Sequence, residues 1–432
     1  MSVFKKLLPI FLMTLSLSAF GQAARSPFST FGVGEIFGGS VIQNQGMAGT
    51  GVSQPMFWSV NNQNPALLIN NYFTTFQAGA VVESRTFRND TASQKGVNGN
   101  LNYLVTAFPV MKSKKHPELM LWSTSITLLP YSKVNYKLIH FDPVLDGGGN
   151  EVNTVRVIEN GSGGLSQVSW ANGFTLTPGL SIGVKASYVF GSTVADYSNR
   201  LVNSGQTTPF IVGIKEQTYI KDFMFMGGLA YTKDSLFNND LRIHAGLTYA
   251  FGTKLDATKT TVQQRRLINE TPLTSDTLIY KDGSIEIPSA LTFGFAVSKG
   301  TTWSLATEFS AQDWSKFNSI NAEDEGLEKS WKVSLGGEIT PDQTAFKNYL
   351  KRLTYRAGVS FEKTPYAING SQLNDYGFNL GLTMPAGRSS IDWAFRLGKR
   401  GNKSETGVEE SYFKIYFGIT FVDQWFHRRK ID

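Results

Sequence analysis

Leu180-Ser181-Ile182-Gly183-Val184-Lys185-Ala186-Ser187-Tyr188-Val189-Phe190 carries an apolar residue at every even position, while its odd positions are mostly Ser, Gly or Lys. Side chains point alternately to the two faces of a strand, so this segment has one oily side and one wet side. The same texture returns in residues 241–251, 291–297, 353–361, 376–382, 391–397 and 413–421. Alternation alone fits a soluble sandwich as well as a membrane barrel; length separates them. A spanning β-strand needs about 9–11 residues at its usual tilt, whereas strands of soluble domains run to about 5–6, and most of these stretches reach the longer figure. Phe, Tyr and Trp gather near the strand ends on the apolar face, as in the aromatic girdles of outer-membrane barrels. The other face, of Gly, Ser, Thr, Asn and isolated charges, suits a solvated or plugged lumen. The expected fold is all-β: a transmembrane antiparallel β-barrel.

The N-terminal residues supply Lys5 and Lys6, an apolar run over 7–17, and small residues up to Gly21. This pattern predicts a signal peptide, residues 1–21, cleaved after Gly21. No later segment offers the roughly 20 apolar residues of a transmembrane helix, so the expected location is the outer membrane of a Gram-negative bacterium. The chain has no cysteine, which excludes a lipobox, disulfides and thiol chemistry. Its 41 Lys and Arg against 34 Asp and Glu give a formal charge of +7, too mild an excess to argue for nucleic acid. The basic runs 112–115 and 427–430 read as solvated turns or ends, with anionic headgroups as a secondary contact.

Residues 22–71 differ in texture from the rest, being rich in Gly, Asn, Gln and Ser. Phe28, Phe31, Ile36, Phe37, Met47, Met56, Phe57 and Trp58 give this segment apolar side chains to pack, so it is expected to plug the lumen. Irregular backbone is tolerated at membrane depth when protein buries it. Gly46, Gly49 and Gly51 allow close packing or positive φ there. Pro65 makes Asn64-Pro65 a turn that redirects the chain toward the first strand.

Residues 72–432 then form the barrel, with about fourteen strands expected. They fall near 72–84, 99–110, 119–138, 152–176, 180–200, 208–232, 241–262, 276–298, 302–318, 330–340, 353–366, 372–384, 389–400 and 410–422. Segments 152–176 and 208–232 are each expected to hold a hairpin or a bulge. Connections alternate between short ones such as Thr177-Pro178-Gly179 and longer polar ones, 142–150 and 256–284. Pro288 fits a strand start or a bulge, and Trp303, Trp314 and Trp425 read as interface anchors.

Catalytic chemistry is not evident. His116, His140, His244 and His427 are far apart and match no metal-binding spacing. Gly161-Ser162-Gly163-Gly164 lacks the Lys-Ser/Thr of a phosphate loop and reads as a turn. The acidic run 323–325 reads as solvated surface. His244 is the one strand-borne histidine able to serve a hydrolase, and the sequence places no partner beside it. No catalytic residue, metal, cofactor or enzymatic activity is expected.

Three regions resemble the FadL family of outer-membrane transporters for hydrophobic compounds. They are Gly46-Met47-Ala48-Gly49-Thr50-Gly51-Val52 with Asn64-Pro65-Ala66-Leu67; Ile287-Pro288, Trp303 and Trp314-Ser315-Lys316-Phe317; and the late hairpins Tyr355-Arg356-Ala357-Gly358, 377–385 and Gly398-Lys399-Arg400-Gly401. The resemblance spans nearly all of the expected mature chain. It implies an N-terminal hatch inside a fourteen-stranded barrel. A hydrophobic ligand such as a long-chain fatty acid would be captured outside and would leave sideways through a kinked wall strand. Lateral exit makes physical sense, because about 0.8 kcal/mol per CH₂ is recovered when an apolar chain enters lipid. Pro130, in the third strand, is the candidate for the kink.

Lys185, Arg242, Arg356 and Arg396 fall on wet faces and could meet an acidic ligand or plug carboxylates such as Glu35, with structural pairing the favoured role. Outer-membrane lipid and a hydrophobic ligand are the expected partners. The alternative, also drawn from relatives of this fold, is a non-transporting accessory barrel that docks other outer-membrane proteins, like the PorV-like proteins of type IX secretion. A continuous apolar tunnel past the hatch would favour transport. A closed lumen with large exposed loop surfaces would favour docking.

Overall fold

A computed structural model describes residues 25–90, 92–116, 118–201, 210–236, 240–267, 269–321, 325–368 and 370–423. The expected signal peptide, Trp425, the basic run 427–430 and part of the acidic run 323–325 lie outside them. The wall strands are β2 (Thr74–Asn89), β3 (Ser93–Lys112), β4 (Met120–Leu145), β5 (Glu151–Thr177), β6 (Leu180–Leu201) and β7 (Phe210–Leu236), followed by β8 (Leu241–Ala250) and β9 (Thr253–Leu267). After them come β10 (Pro272–Ile287), β11 (Ala290–Lys299), β12 (Trp303–Asp313), β13 (Lys329–Ile339), β14 (Thr354–Ile368), β15 (Ser371–Ala386), β16 (Ser389–Arg400) and β17 (Val408–Asp423). β8 and β9 are one path broken at Phe251-Gly252, and β10 and β11 one path broken at Pro288-Ser289. β7 pairs with β8 below and β9 above, while β11 pairs with β8 and β10 with β9. Fourteen antiparallel paths result, closed by β17 on β2 from Asp423↔Thr74 to Val408↔Asn89.

The alternation works as the residues dictate. Val184, Leu229, Leu247, Phe293, Leu335, Val359 and Leu380 are exposed on the outer face, where a bilayer would cover them. Ser187, His244, Ser334, Asn379 and Asp392 are buried within. Ends joined by short turns, such as Gly179 and Gly387, mark the periplasmic side.

Several expectations need correction. β5 and β7 each run unbroken through the segments expected to hold a hairpin or a bulge; neither holds a hairpin, and β5 holds bulges, skipping Val152 in its ladder with β4 and Leu176 in its ladder with β6. Residues 161–164 are not a turn: they continue β5, with Gly163 and Gly164 at positive φ while paired to β4 and β6. The segment 256–284 is not a polar loop but a hairpin of β9 and β10, because its Thr- and Val-bearing residues find ladder partners above the membrane. The same extension lengthens β4 and β5 to 26 and 27 residues, against 11 in each of β12 and β13. One side of the barrel therefore rises as a curved sheet of β4, β5, β6, β7, β9 and β10, roughly 30 Å beyond the opposite rim by strand rise and tilt. Trp314 is not an interface anchor. It follows β12 in a 3-10 turn, 6% exposed, and packs against Phe317 inside the barrel.

The core is luminal. Phe28 and Val33 pack with wall residues Leu165, Val189, Ile220, Leu255 and Ile287. Lower down, Val41, Ile42, Val60 and Leu68 meet Val105, Leu129 and Tyr416.

Candidate functional site

The lumen is where this chain departs from an empty tube, and its wall is built to receive the N-terminal segment. Inward glycines line up across neighbouring strands: Gly173↔Gly183↔Gly228 on β5, β6 and β7, Gly246↔Gly294 on β8 and β11, Gly336↔Gly358 on β13 and β14, and Gly418↔Gly79 on β17 and β2. A Cβ at any of these would strike something. At Gly173 and Gly183 it is the Pro65 region, at Gly228 Asn64 and Pro65, at Gly246 and Gly294 Val52 and Ser53, at Gly336 and Gly358 Met47 and Ala48, and at Gly418 Ile42. The wet-face glycines thus form a belt against the luminal segment, touching its backbone at most positions and the Ile42 side chain at Gly418 and Gly79, where the wall's Tyr103 also closes in on Gly79.

Within the segment, the expected residues take distinct places. Gly46 lies against Gly381, and Gly49 adopts φ +86. Gly51 and Val52 donate their N–H groups to Glu308 of β12, both at 2.9 Å. Asn64 is fully buried: its Oδ1 accepts from Ala66 N at 3.0 Å, and its Nδ2 donates to the carbonyls of Val52 (2.8 Å) and Leu229 (3.0 Å). Pro65 and Ala66 open the 3-10 turn Pro65–Asn70 that leads to β2. Asn64→Ala would orphan buried partners, and a loss of about 2–3 kcal/mol is expected. A lowered thermal midpoint of the folded barrel is the readout; an unchanged midpoint would show that this turn does not hold the segment.

Electrostatics fix the upper part. Glu35 is the one charged residue between 26 and 71. It meets Arg85 at 2.8 Å and Arg400 at 3.2 Å. Arg85 also holds Glu83 (2.9 Å) and Glu410 (3.0 Å), and Arg400 holds Asp375 (3.0 Å). Tyr412 donates to Asp375 at 2.6 Å, and Lys133 and Lys414 flank Glu83 at 3.5 Å. Glu410, Asp375 and Arg85 are nearly sealed from solvent, at 0%, 1% and 4% exposure.

Of this group the sequence gives a luminal pairing role to Glu35 and Arg396, and it marks Arg400 only as part of a late hairpin. The others were marked by parity, since Glu83 and Arg85 share the inward face of β2, but the expected first strand stopped at 84. The remaining candidates are scattered. Arg396 pairs with Asp375 at 3.2 Å, Arg356 with Glu338 at 2.9 Å, and Arg242 with Asp234 at 2.7 Å near the periplasmic rim. Lys185 donates to the Asn62 carbonyl at 3.3 Å.

The wall has a seam. β3 and β4 are paired from Lys112↔Met120 up to Leu104↔Leu128, and above that the described ladder ends. Residues 93–103 of β3 pair with β2 alone, while β4 continues along β5 past a register shift between Pro130 and Ser132. Pro130, the kink candidate, lies at this parting. The freed edge of β4 is taken from inside by β1 (Glu35–Ile36), through Ile36↔Ser132 and Glu35↔Lys133. Phe37 N donates to Tyr131 O and Ser132 Oγ to Val33 O. Beside it lies a cavity of about 400 Å³, lined by Phe31, Val33, Val134 and Tyr136 but also by Tyr197, Glu216 and Lys259. A second cavity, of about 300 Å³, opens at the periplasmic end. The described cavities lie on opposite sides of the luminal segment.

His244 does have neighbours that the sequence could not place. Its Nε2 lies 2.9 Å from Ser298 Oγ and its Nδ1 3.0 Å from Thr232 Oγ1. A hydroxyl, not a carboxylate, orients the ring, and strands β8 and β11 commit their backbone N–H groups to ladders. These two contacts bridge β7, β8 and β11.

Among solved structures, the barrel is similar to the toluene transporter TbuX of Ralstonia pickettii, at 14% identity over 90% of this chain and 98% of that one, with a TM-score of 0.56. The P. putida toluene transporter TodX gives 15% identity, 91% and 100% coverage and 0.55. A FadL homologue of Pseudomonas aeruginosa gives 10%, 89% and 98%, and 0.54. At these identities the likeness is one of fold: a transmembrane barrel of the FadL type, the outer-membrane architecture expected from the sequence. No curated protein matches the chain. A family model described as BamG matches residues 3–432, and this chain, across essentially its whole length, belongs to the BamG family.

Proposed function

We propose that this protein is a non-transporting accessory barrel that docks other outer-membrane proteins and carries out no covalent chemistry. The observation that carries this reading is the closed lumen. A glycine belt grips the luminal segment, and the buried ion pairs of Glu35 bind it to Arg85 of β2 and Arg400 of β16. The two described cavities are lined by different parts of this segment, residues 29–33 at one and 54–59 at the other. A ligand crossing here would have to displace Glu35 from two arginines in a low-dielectric interior, a cost of several kcal/mol. The one-sided extracellular sheet offers docking surface instead, with Leu273, Leu278, Ile279 and Tyr280 exposed on β10.

Isolation of the barrel from its native envelope in mild detergent tests this. Other outer-membrane proteins are expected to remain bound in fixed stoichiometry through gel filtration, and reconstituted vesicles are expected to take up toluene or dodecanoate no faster than protein-free ones. A barrel that elutes alone and accelerates uptake would overturn the proposal.

A second reading is favoured by the seam. A hydrophobic small molecule, such as a long-chain fatty acid, would occupy the cavity beside Phe31 and Val134 and leave laterally between β3 and β4, with β1 as the moving gate. The channel-type fold supports this reading. The same uptake experiment decides between the two.

A further inference from the structure

The periplasmic cavity has a composition that neither reading uses. Arg242, Arg352, Arg356 and Arg388 face it, against the single carboxylate of Glu338. Glu338 is committed to Arg356 at 2.9 Å and also accepts from Gln54 at 3.1 Å. Arg242 is held by Asp234. Among the described residues, Arg352 and Arg388 have no carboxylate partner. Each instead lies over an aromatic ring: Arg352 over Tyr349 at 5.7 Å and Arg388 over Phe73 at 5.9 Å. Phe73 stacks on Trp58 at 5.5 Å with planes 9° apart. Trp58 and Phe57 remain 51% and 36% exposed while lining the cavity with Met56.

These groups sit at the rim where the barrel meets the inner leaflet. Tyr349 donates to the Pro385 carbonyl, and Tyr355, on the lipid face of β14, donates to the Leu350 carbonyl. The loop that supplies Arg352 is therefore fastened to the bilayer side of the wall. Its local order comes from Asp342, whose carboxylate accepts from the Thr344 hydroxyl at 2.8 Å and the Thr344 N–H at 2.9 Å and is held below its usual pKa by those bonds.

From this geometry we propose that the periplasmic cavity is a binding site for an anionic amphiphile. Its phosphate or carboxylate head is held by Arg352 and Arg388, and its acyl chain lies against Met56, Phe57 and Trp58. Guanidinium groups match such oxyanions in planar, forked geometry. Aromatic side chains at a membrane interface offer an apolar body beside wet groups. A volume of about 300 Å³ accepts part of one chain, with the remainder left in the leaflet. The head chemistry is shared by an anionic phospholipid and a free fatty acid, and the site stands whether the barrel transports or docks.

Titration of the full-length barrel in uncharged detergent, followed by native mass spectrometry, tests the site with three probes: phosphatidylglycerol, phosphatidylcholine and dodecanoate. One saturable equivalent of phosphatidylglycerol or dodecanoate is expected, with phosphatidylcholine at least tenfold weaker. The Arg352→Glu/Arg388→Glu variant should lose at least tenfold in affinity, with the barrel still folded by its heat-shifted electrophoretic mobility. Arg352→Lys/Arg388→Lys should fall between. Preference for phosphatidylglycerol over dodecanoate names a leaflet lipid as the source, and the reverse names a free acid. Equal binding of the zwitterionic lipid, or unchanged affinity in the folded Glu variant, would overturn the proposal. Should the Glu variant not fold, Trp58→Ala is the second test: an unchanged affinity there would likewise overturn it.

Discussion

Arg85→Met is expected to cost about 3–5 kcal/mol, because it leaves Glu35, Glu83 and Glu410 facing one another with one cation fewer in a site closed to water. Arg85 is 4% exposed and Glu410 fully buried, so solvent cannot make up the loss. The remaining partners do not suffice. Arg400 is shared with Asp375, and Lys133 and Lys414 approach Glu83 only to 3.5 Å. Since Glu35 is the one charge between residues 26 and 71, the damage concentrates on the seating of this segment. Proteinase K should cleave within residues 25–71 of the variant and spare those of the native barrel. Pairing the change with Glu410→Met should restore more than half of the lost stability, since an ion pair replaced whole by apolar side chains is far cheaper than one broken. A single variant as protease-resistant and as heat-stable as the native barrel would refute the claim that this cluster holds the lumen shut.

The sequence made the barrel legible because one physical rule governs it nearly everywhere. A strand with lipid on one side and a wet lumen on the other must alternate, so Leu180 to Phe190 and its six companions could be read without any partner in view. The rule fails where the surroundings change. Above the membrane both faces are wet, and β9 and β10 lose the apolar signal that marks β8 and β11; residues 256–284 therefore read as loop. Trp314 read as an anchor because a Trp near a strand end usually is one, and only the folded loop buries it against Phe317.

The site was legible in part. Asn64, Pro65 and the glycines of 46–51 stood out by backbone chemistry that is local. The Arg85–Glu410 pair joins residues 325 apart in sequence, and no local pattern can announce it. The glycine belt lay between these cases. Each glycine was visible as a wet-face residue, but the belt depends on register, which sets Gly183 beside both Gly173 and Gly228.

That belt makes the second large prediction, on whether the wall or the segment decides occupancy. Gly183→Val and Gly246→Val put β-branched residues into strands, which favours the strand itself. The same side chains invade the space of Pro65, Ala66 and Val52, where the opposing atoms are backbone and cannot turn aside. Overpacking typically costs about 1–3 kcal/mol per site, and two sites on one rigid neighbour exceed what the Asn64 hydrogen bonds return. The double variant should therefore fold as a barrel and leave its lumen unoccupied. In planar bilayers it should pass ions in steps where the native barrel passes none, as should a barrel lacking residues 25–71. A folded double variant that stays closed and protease-resistant would mean that the lumen yields to the segment, and the rigid-seat argument for a docking barrel would fall with it. A conducting one would mean that the segment is held by shape as much as by charge, so that opening the native lumen requires breaking both at once.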